Sequence, residues 1–182
     1  SRVEGPEAVT QYNIAYKYFN VLNMVFVIVL TPFWSAFTDA YVKKDYNWMS
    51  GIVKKLEFLW LLCIPILILM VLCSNFFYQW WVGNSVSISF SLSICMAVFM
   101  FFYTSANLYM ILINGTSMVC LQLIINVCFA IISLPCICLF CRLWGVQGAL
   151  LIPTVTLAVL TLIGKIQIMK IVNNRATGIW QR

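Results

Sequence analysis

The sequence predicts an all-α fold, a polytopic membrane bundle of about five transmembrane helices. Three observations predict it. First, from Phe58 to Cys141 the chain carries no Asp, Glu, Lys or Arg, an uncharged run of 84 residues between Glu57 and Arg142. A bilayer-spanning helix takes about 20 mostly apolar residues, so this run holds about three spans and two tight connections. Second, the chain is 63% hydrophobic and 9% charged, where soluble domains carry about 25% charged residues. Third, the basic residues behind the net charge of +6 cluster between and after the apolar segments. They read as orientation signals beside membrane lipid, and no nucleic-acid partner is expected.

Residues 1–182 are read as a single transmembrane domain. The chain opens on Ser1 and a polar segment without a charged-then-apolar leader, and is expected to be part of something longer. Gly5-Pro6 reads as a lead-in turn. The first span covers about 9–38. The connection 39–55 holds Lys43, Lys44, Lys54 and Lys55 with Tyr41, Tyr46 and Trp48. It is expected at headgroup level, partly as an amphipathic helix. The second span covers about 56–78, and the loop 79–87 with Trp80-Trp81-Val82-Gly83-Asn84 fits an interfacial belt. The third span covers about 88–113, and Asn114-Gly115-Thr116 is a turn signal. The fourth covers about 118–140. Arg142 to Gly148 is the next turn, and the fifth span covers about 149–169 before a polar tail.

Five spans place the first connection, the third connection and the C-terminus on one side. That side collects Lys43, Lys44, Lys54, Lys55, Lys165, Lys170, Arg175 and Arg182, eight of the 11 basic residues. The positive-inside bias makes it cytoplasmic.

The eight cysteines lie in or at the ends of spans, and there is no histidine. Cys138-x-x-Cys141 has redox spacing, but a metal site wants more ligands, so these cysteines read as packing and no metal or cofactor is expected. Pro32, Pro65, Pro135 and Pro153 fall inside four spans and can kink them, a habit shared by transporters and by membrane helices at large.

Polar chemistry concentrates in the first span. Asn13, Lys17, Asn20, Thr31, Ser35 and Thr38 share one helical face, with Met24, Val27 and Ile28 in its middle and Tyr12, Tyr16 and Asn23 at its flanks. Lipid cannot satisfy such groups, so the face meets protein or a wet cavity. The plain alternative is bundle packing with Lys17 reaching toward the interface. Weaker candidates are Asn107, within the patch Tyr103 to Tyr109, and Asn126, one turn after Gln122. Thr154, Thr156 and Thr161 mark the fifth span.

Catalysis finds little footing, and no enzyme is expected. The acids Glu4, Glu7, Asp39, Asp45 and Glu57 form no evident acid–base pair. Without histidine there is no Ser/His or Cys/His arrangement. Trp144-Gly145-Val146-Gln147-Gly148 is a short turn and not a phosphate loop.

Several segments in order carry a resemblance. Gly5-Pro-Glu-Ala-Val-Thr-Gln-Tyr-Asn13 entering a helix is followed by Thr31-Pro-Phe-Trp-Ser-Ala-Phe-Thr-Asp-Ala-Tyr41 and a basic connection. Trp81-Val-Gly83, Ile113-Asn-Gly115, Trp144-Gly-Val-Gln-Gly148 and the tail Asn173-Asn-Arg-Ala-Thr-Gly-Ile-Trp180 follow. Together they resemble the bacterial O-antigen and polysaccharide flippases of the multidrug/oligosaccharidyl-lipid/polysaccharide exporter superfamily. The resemblance implies the C-terminal part of a larger two-bundle transporter in the bacterial inner membrane, with the N-terminal helices as a partner. It implies flipping of an undecaprenyl-diphosphate-linked oligosaccharide by alternating access, with Lys17, Asn13 and Asn20 lining the head-group path. Two other functions stay open: a drug or cation antiporter of the same fold, which would want an intramembrane acid, and a non-transporting membrane anchor subunit.

Overall fold

The computed structural model describes residues 6–83 and 87–181, with the side chains at 134, 138, 142, 146 and 181 left aside. Gly5 of the lead-in turn, Asn84 of the Trp-rich loop and the side chains of Cys138 and Arg142 therefore lie outside the described residues. The fold is all-α: α1 (Pro6–Val42), α2 (Tyr46–Leu61), α3 (Cys63–Val82), α4 (Phe90–Thr116), α5 (Cys120–Val172) and a 3₁₀ turn (Gly178–Gln181). Four helical segments are long and apolar enough to cross a membrane, and a bent pair at the start of α5 makes up to five.

Local chemistry sets the ends. Pro6 opens α1 where its missing N–H costs nothing, and Glu7 faces the helix N-terminus. Lys44 turns the chain in a left-handed conformation (φ +56°). Asp45 then caps α2, its carboxylate accepting the Trp48 amide at 3.0 Å. The helix thus starts at Tyr46, within the connection expected to be partly helical, and runs on through Leu61. The only break before Val82 is at Leu62, one turn ahead of Pro65, whose ring excludes the carbonyl four residues back. Together α2 and α3 make one 37-residue apolar rod. Ser89 caps α4 by accepting the Leu92 amide at 3.2 Å.

The turn expected at Asn114-Gly115-Thr116 is displaced. These residues are helical, and the reversal comes at Ser117, left-handed at φ +62°. Gly115 instead serves packing: a Cβ there would stand 3.1 Å from the Trp34 carbonyl oxygen of α1. On the opposite flank, Gly164 of α5 lets Tyr109 approach so closely that a Cβ would lie 2.8 Å from the Tyr109 Cβ. Small residues at both contacts let helices close up where no hydrophobic force drives them together.

α5 has two arms: the second is long and apolar enough to span, and the first is a bent pair that makes a span when its two parts are taken together. Its first arm bends by 41° between Ser133 and Pro135. A second break at Trp144 (φ −131°) and Gly145 (φ +63°, ψ −149°) separates the arms. Gly145 takes a backbone conformation closed to other residues, and Gly148 sits against the Phe140 carbonyl, where a Cβ would collide. α1 runs unbroken through Pro32, as the second arm of α5 does through Pro153.

α4 is the axis of the bundle. Its apolar window is 56% buried, against 22% for each of the other three spans. One cluster joins Phe37, Met49, Leu56, Leu112, Ile113, Ile168 and Ile171. It gathers the end of α1, the start of α2 and the ends of α4 and α5, so most of the basic residues share that end. A second cluster joins Phe19, Tyr78, Leu92, Met96 and Leu150 at the opposite end. Outside, large apolar side chains such as Phe76, Leu72, Leu69 and Ile131 are exposed over most of their area, as a lipid-facing surface requires.

Candidate functional site

α1 presents two stripes. Ala15, Phe19, Asn23, Phe26, Leu30, Phe37 and Ala40 are buried. On the other side Asn13, Lys17, Met24, Ile28, Thr31, Ser35 and Thr38 are exposed, with Asn20 half-buried. The polar face lies together on α1 as its spacing requires; most of it is exposed, while Thr38 sits beside Gly115 of α4.

The face has two chemically different halves. In the half toward Thr38 each hydroxyl is satisfied by its own helix. Thr31 donates to the Val27 carbonyl (2.8 Å), Ser35 to Pro32 (3.2 Å) and Thr38 to Trp34 (3.0 Å). These residues line a shallow open groove of about 610 Å³ together with Trp34, Asp39 and Val42. The other half carries amides and an ammonium. Asn107 of α4 donates to Asn23 at 2.9 Å, and Asn23 donates to Asn20 at 3.3 Å. Asn23 was expected at the flank of the face and is instead its link to the core. Asn20 has its oxygen engaged and its N–H donors without a partner among the described residues, one turn from the exposed Lys17. Lys17 makes no ion pair among the described residues. Tyr12 and Tyr16 stack beside it, ring centroids 6.1 Å apart.

Of the sequence candidates, the structure brings Asn20 and Asn107 into one hydrogen-bonded chain and leaves Asn13 and Lys17 on the same face. Ser35 stands apart from the amides, within the hydroxyl half. Asn126 lies elsewhere, exposed on the first arm of α5. It lines a separate open groove of about 460 Å³ with Gln122, whose Nε2 is buried without a hydrogen-bond partner among the described residues. Thr161 is used in packing, accepting from Ser105 at 3.0 Å.

One constellation escaped the sequence reading. Glu57 Oε1 accepts the Tyr109 hydroxyl at 2.6 Å and pairs with Lys165 Nζ at 3.2 Å. This ties α2, α4 and α5 together. In sequence both charges resemble boundary markers. The available signal was that each stands well inside its helix, with opposite sign. At the end of α1, by contrast, Asp39 lies beside Lys43 at 2.6 Å and holds its ammonium above the usual lysine range. Among the described residues no group of His, Cys, Asp and Glu is placed to hold a metal ion.

Compared with family models, with curated proteins and with solved structures, the chain matches none.

Proposed function

We propose that this chain is one helical bundle of a transporter that flips an undecaprenyl-diphosphate-linked oligosaccharide across the bacterial inner membrane by alternating access. The observation that carries the reading is the exposed amide-and-ammonium half of α1. Lys17 stands toward the start of α1, where its ammonium can reach the interface at small cost, but the amides beside it have no partners in hydrocarbon. That face is stable only against water or a second polar surface. A sugar head group offers many hydroxyl and ring-oxygen acceptors, and its diphosphate is anionic. Asn20 N–H donors and the Lys17 charge are complementary to both, while the lipid tail stays in the bilayer. The resemblance noted in the sequence supports the same substrate class, with the N-terminal helices of the transporter supplying the rest of the cavity.

The test is a cysteine-accessibility scan of Asn13, Lys17, Asn20 and Ser35 in membranes, with Phe76 as the lipid-facing control. Reaction of the α1 positions with a water-soluble reagent, and none at Phe76, is the expected result. Uniform protection would remove the cavity.

A second reading, a non-transporting anchor, draws on the Thr31, Ser35 and Thr38 hydroxyls. Bonded to their own carbonyls, they can face lipid without loss. This covers the hydroxyl half of the face and, with Lys17 reaching toward the interface, leaves the amides of Asn13 and Asn20 unexplained. A cation antiporter would need a free acid in the membrane. Glu57 is the acid within the long α2–α3 rod, and it is already engaged by Tyr109 and Lys165.

A further inference from the structure

At the basic end of the bundle, α2 and the last turns of α5 enclose a hollow of about 330 Å³. Its walls bring together Lys54, Glu57 and Lys165, which sum to one positive charge, with Ser50 and Asn173 as neutral hydrogen-bonding groups. Met169 and Val172 continue the wall as an apolar lip. The three charges are not equivalent. Glu57 holds Lys165 at 3.2 Å and is itself held by the Tyr109 hydroxyl. Lys54 is exposed and has no ion-pair partner among the described residues.

We propose that this hollow binds the phosphodiester headgroup of an anionic membrane phospholipid. A phosphodiester carries a single negative charge, which matches the one unbalanced positive charge of the lining. Ser50 and Asn173 supply donors for its remaining oxygens. Lys165 lies about two turns, roughly 10 Å, inside the end of α5 at Val172, and Lys54 and Asn173 stand nearer that end. The lip of Met169 and Val172 gives those chains an apolar exit, which a free phosphate would not need. Basic hollows between spans on the positively charged side are where membrane electrostatics concentrates anionic lipids. The inference is independent of what the α1 face carries.

The test uses the full chain reconstituted in phosphatidylcholine nanodiscs, with spin-labelled phosphatidylglycerol and spin-labelled phosphatidylcholine as probes. The native chain is expected to select the phosphatidylglycerol probe. Lys54→Gln should weaken that selection about fivefold, the worth of one lysine at the surface. Glu57→Gln should strengthen it, because the lining gains positive charge. Lys43→Gln, at the same end but paired with Asp39, should leave it unchanged. Three results would overturn the proposal: equal weakening by Lys43→Gln, which means diffuse attraction; weakening by Glu57→Gln; or displacement of the probe by inorganic phosphate, which means a free-anion site. Lys54 is exposed, so loss of folding does not confuse its substitution.

Discussion

Asn107 of α4 donates to Asn23 of α1 across 2.9 Å, and this bond sets which way the Asn20 amide points. An amide passes direction as well as attraction: because Asn23 receives on its oxygen, it must give from its nitrogen. The orientation of a half-buried group on α1 is thus tied, through the buried Asn23, to a residue on another helix.

Asn23→Leu removes both bonds. Only the bond to Asn107 joins two helices, and such bonds average about 0.6 kcal/mol in membranes, so the loss should be about that size, without unfolding. Reversible unfolding in mixed micelles measures it. Asn23→Asp is the sharper variant. A carboxylate accepts from both neighbours and reverses Asn20, so reactivity of the α1 face should change while stability falls less than in Asn23→Leu.

Gly164 and Gly115 predict an order. A methyl group at Gly164 would meet the Tyr109 Cβ at 2.8 Å, close to a backbone that cannot step aside. Overpacking of this kind costs about 1–3 kcal/mol, so Gly164→Ala should loosen the α4–α5 contact. At Gly115 the nearest atom is 3.1 Å away. The helix gains about 1 kcal/mol from Ala over Gly, which should leave Gly115→Ala near neutral. Equal losses from the two substitutions would show that the packing is described wrongly.

Tyr109 and Lys165 share Glu57 unequally. The Lys165 side chain is 47% exposed, and exposed pairs are worth about 0–1 kcal/mol. The Tyr109 hydroxyl donates to the carboxylate from a residue only 2% exposed, and bonds to charged groups contribute about 1.5–3 kcal/mol. Tyr109→Phe should therefore destabilise more than Lys165→Gln. A double-mutant cycle with Glu57→Gln should place most of the coupling on Tyr109.

The fold class was legible because solvent writes it along the chain: the uncharged run from Phe58 to Cys141 admits little but helices in lipid. The α1 face was legible because a helix repeats its spacing locally. Gly115 was misread because a turn glycine and a contact glycine look alike until Trp34 is known to lie against one of them. The start of α2 within the connection was not placed because Lys54, Lys55 and Glu57 suggested headgroups, although Asp45 in front of Trp48 had the spacing of a cap. Glu57 with Lys165, and Asn107 with Asn23, meet only through the crossing of helices, and no local pattern announces them.

Lys17 carries the transport proposal and its clearest test. In cells whose surface polysaccharide depends on this protein, Lys17→Ala should lower surface polysaccharide at unchanged protein level, and Lys17→Arg should retain most of it. The charge is what a diphosphate would meet, and arginine keeps the charge. Asn20→Ala should act in the same direction more weakly, since it removes donors and leaves the charge. Ser35→Ala should do little, because the Ser35 hydroxyl is already spent on the Pro32 carbonyl. The ranking matters more than any one value. A protein that merely needs a folded α1 would treat the three alanine substitutions alike, all being exposed or half-buried positions on one face. A head-group path would separate them by what each offers to an anionic sugar. Full surface polysaccharide in Lys17→Ala would take the lysine, and with it the substrate assignment, out of the mechanism.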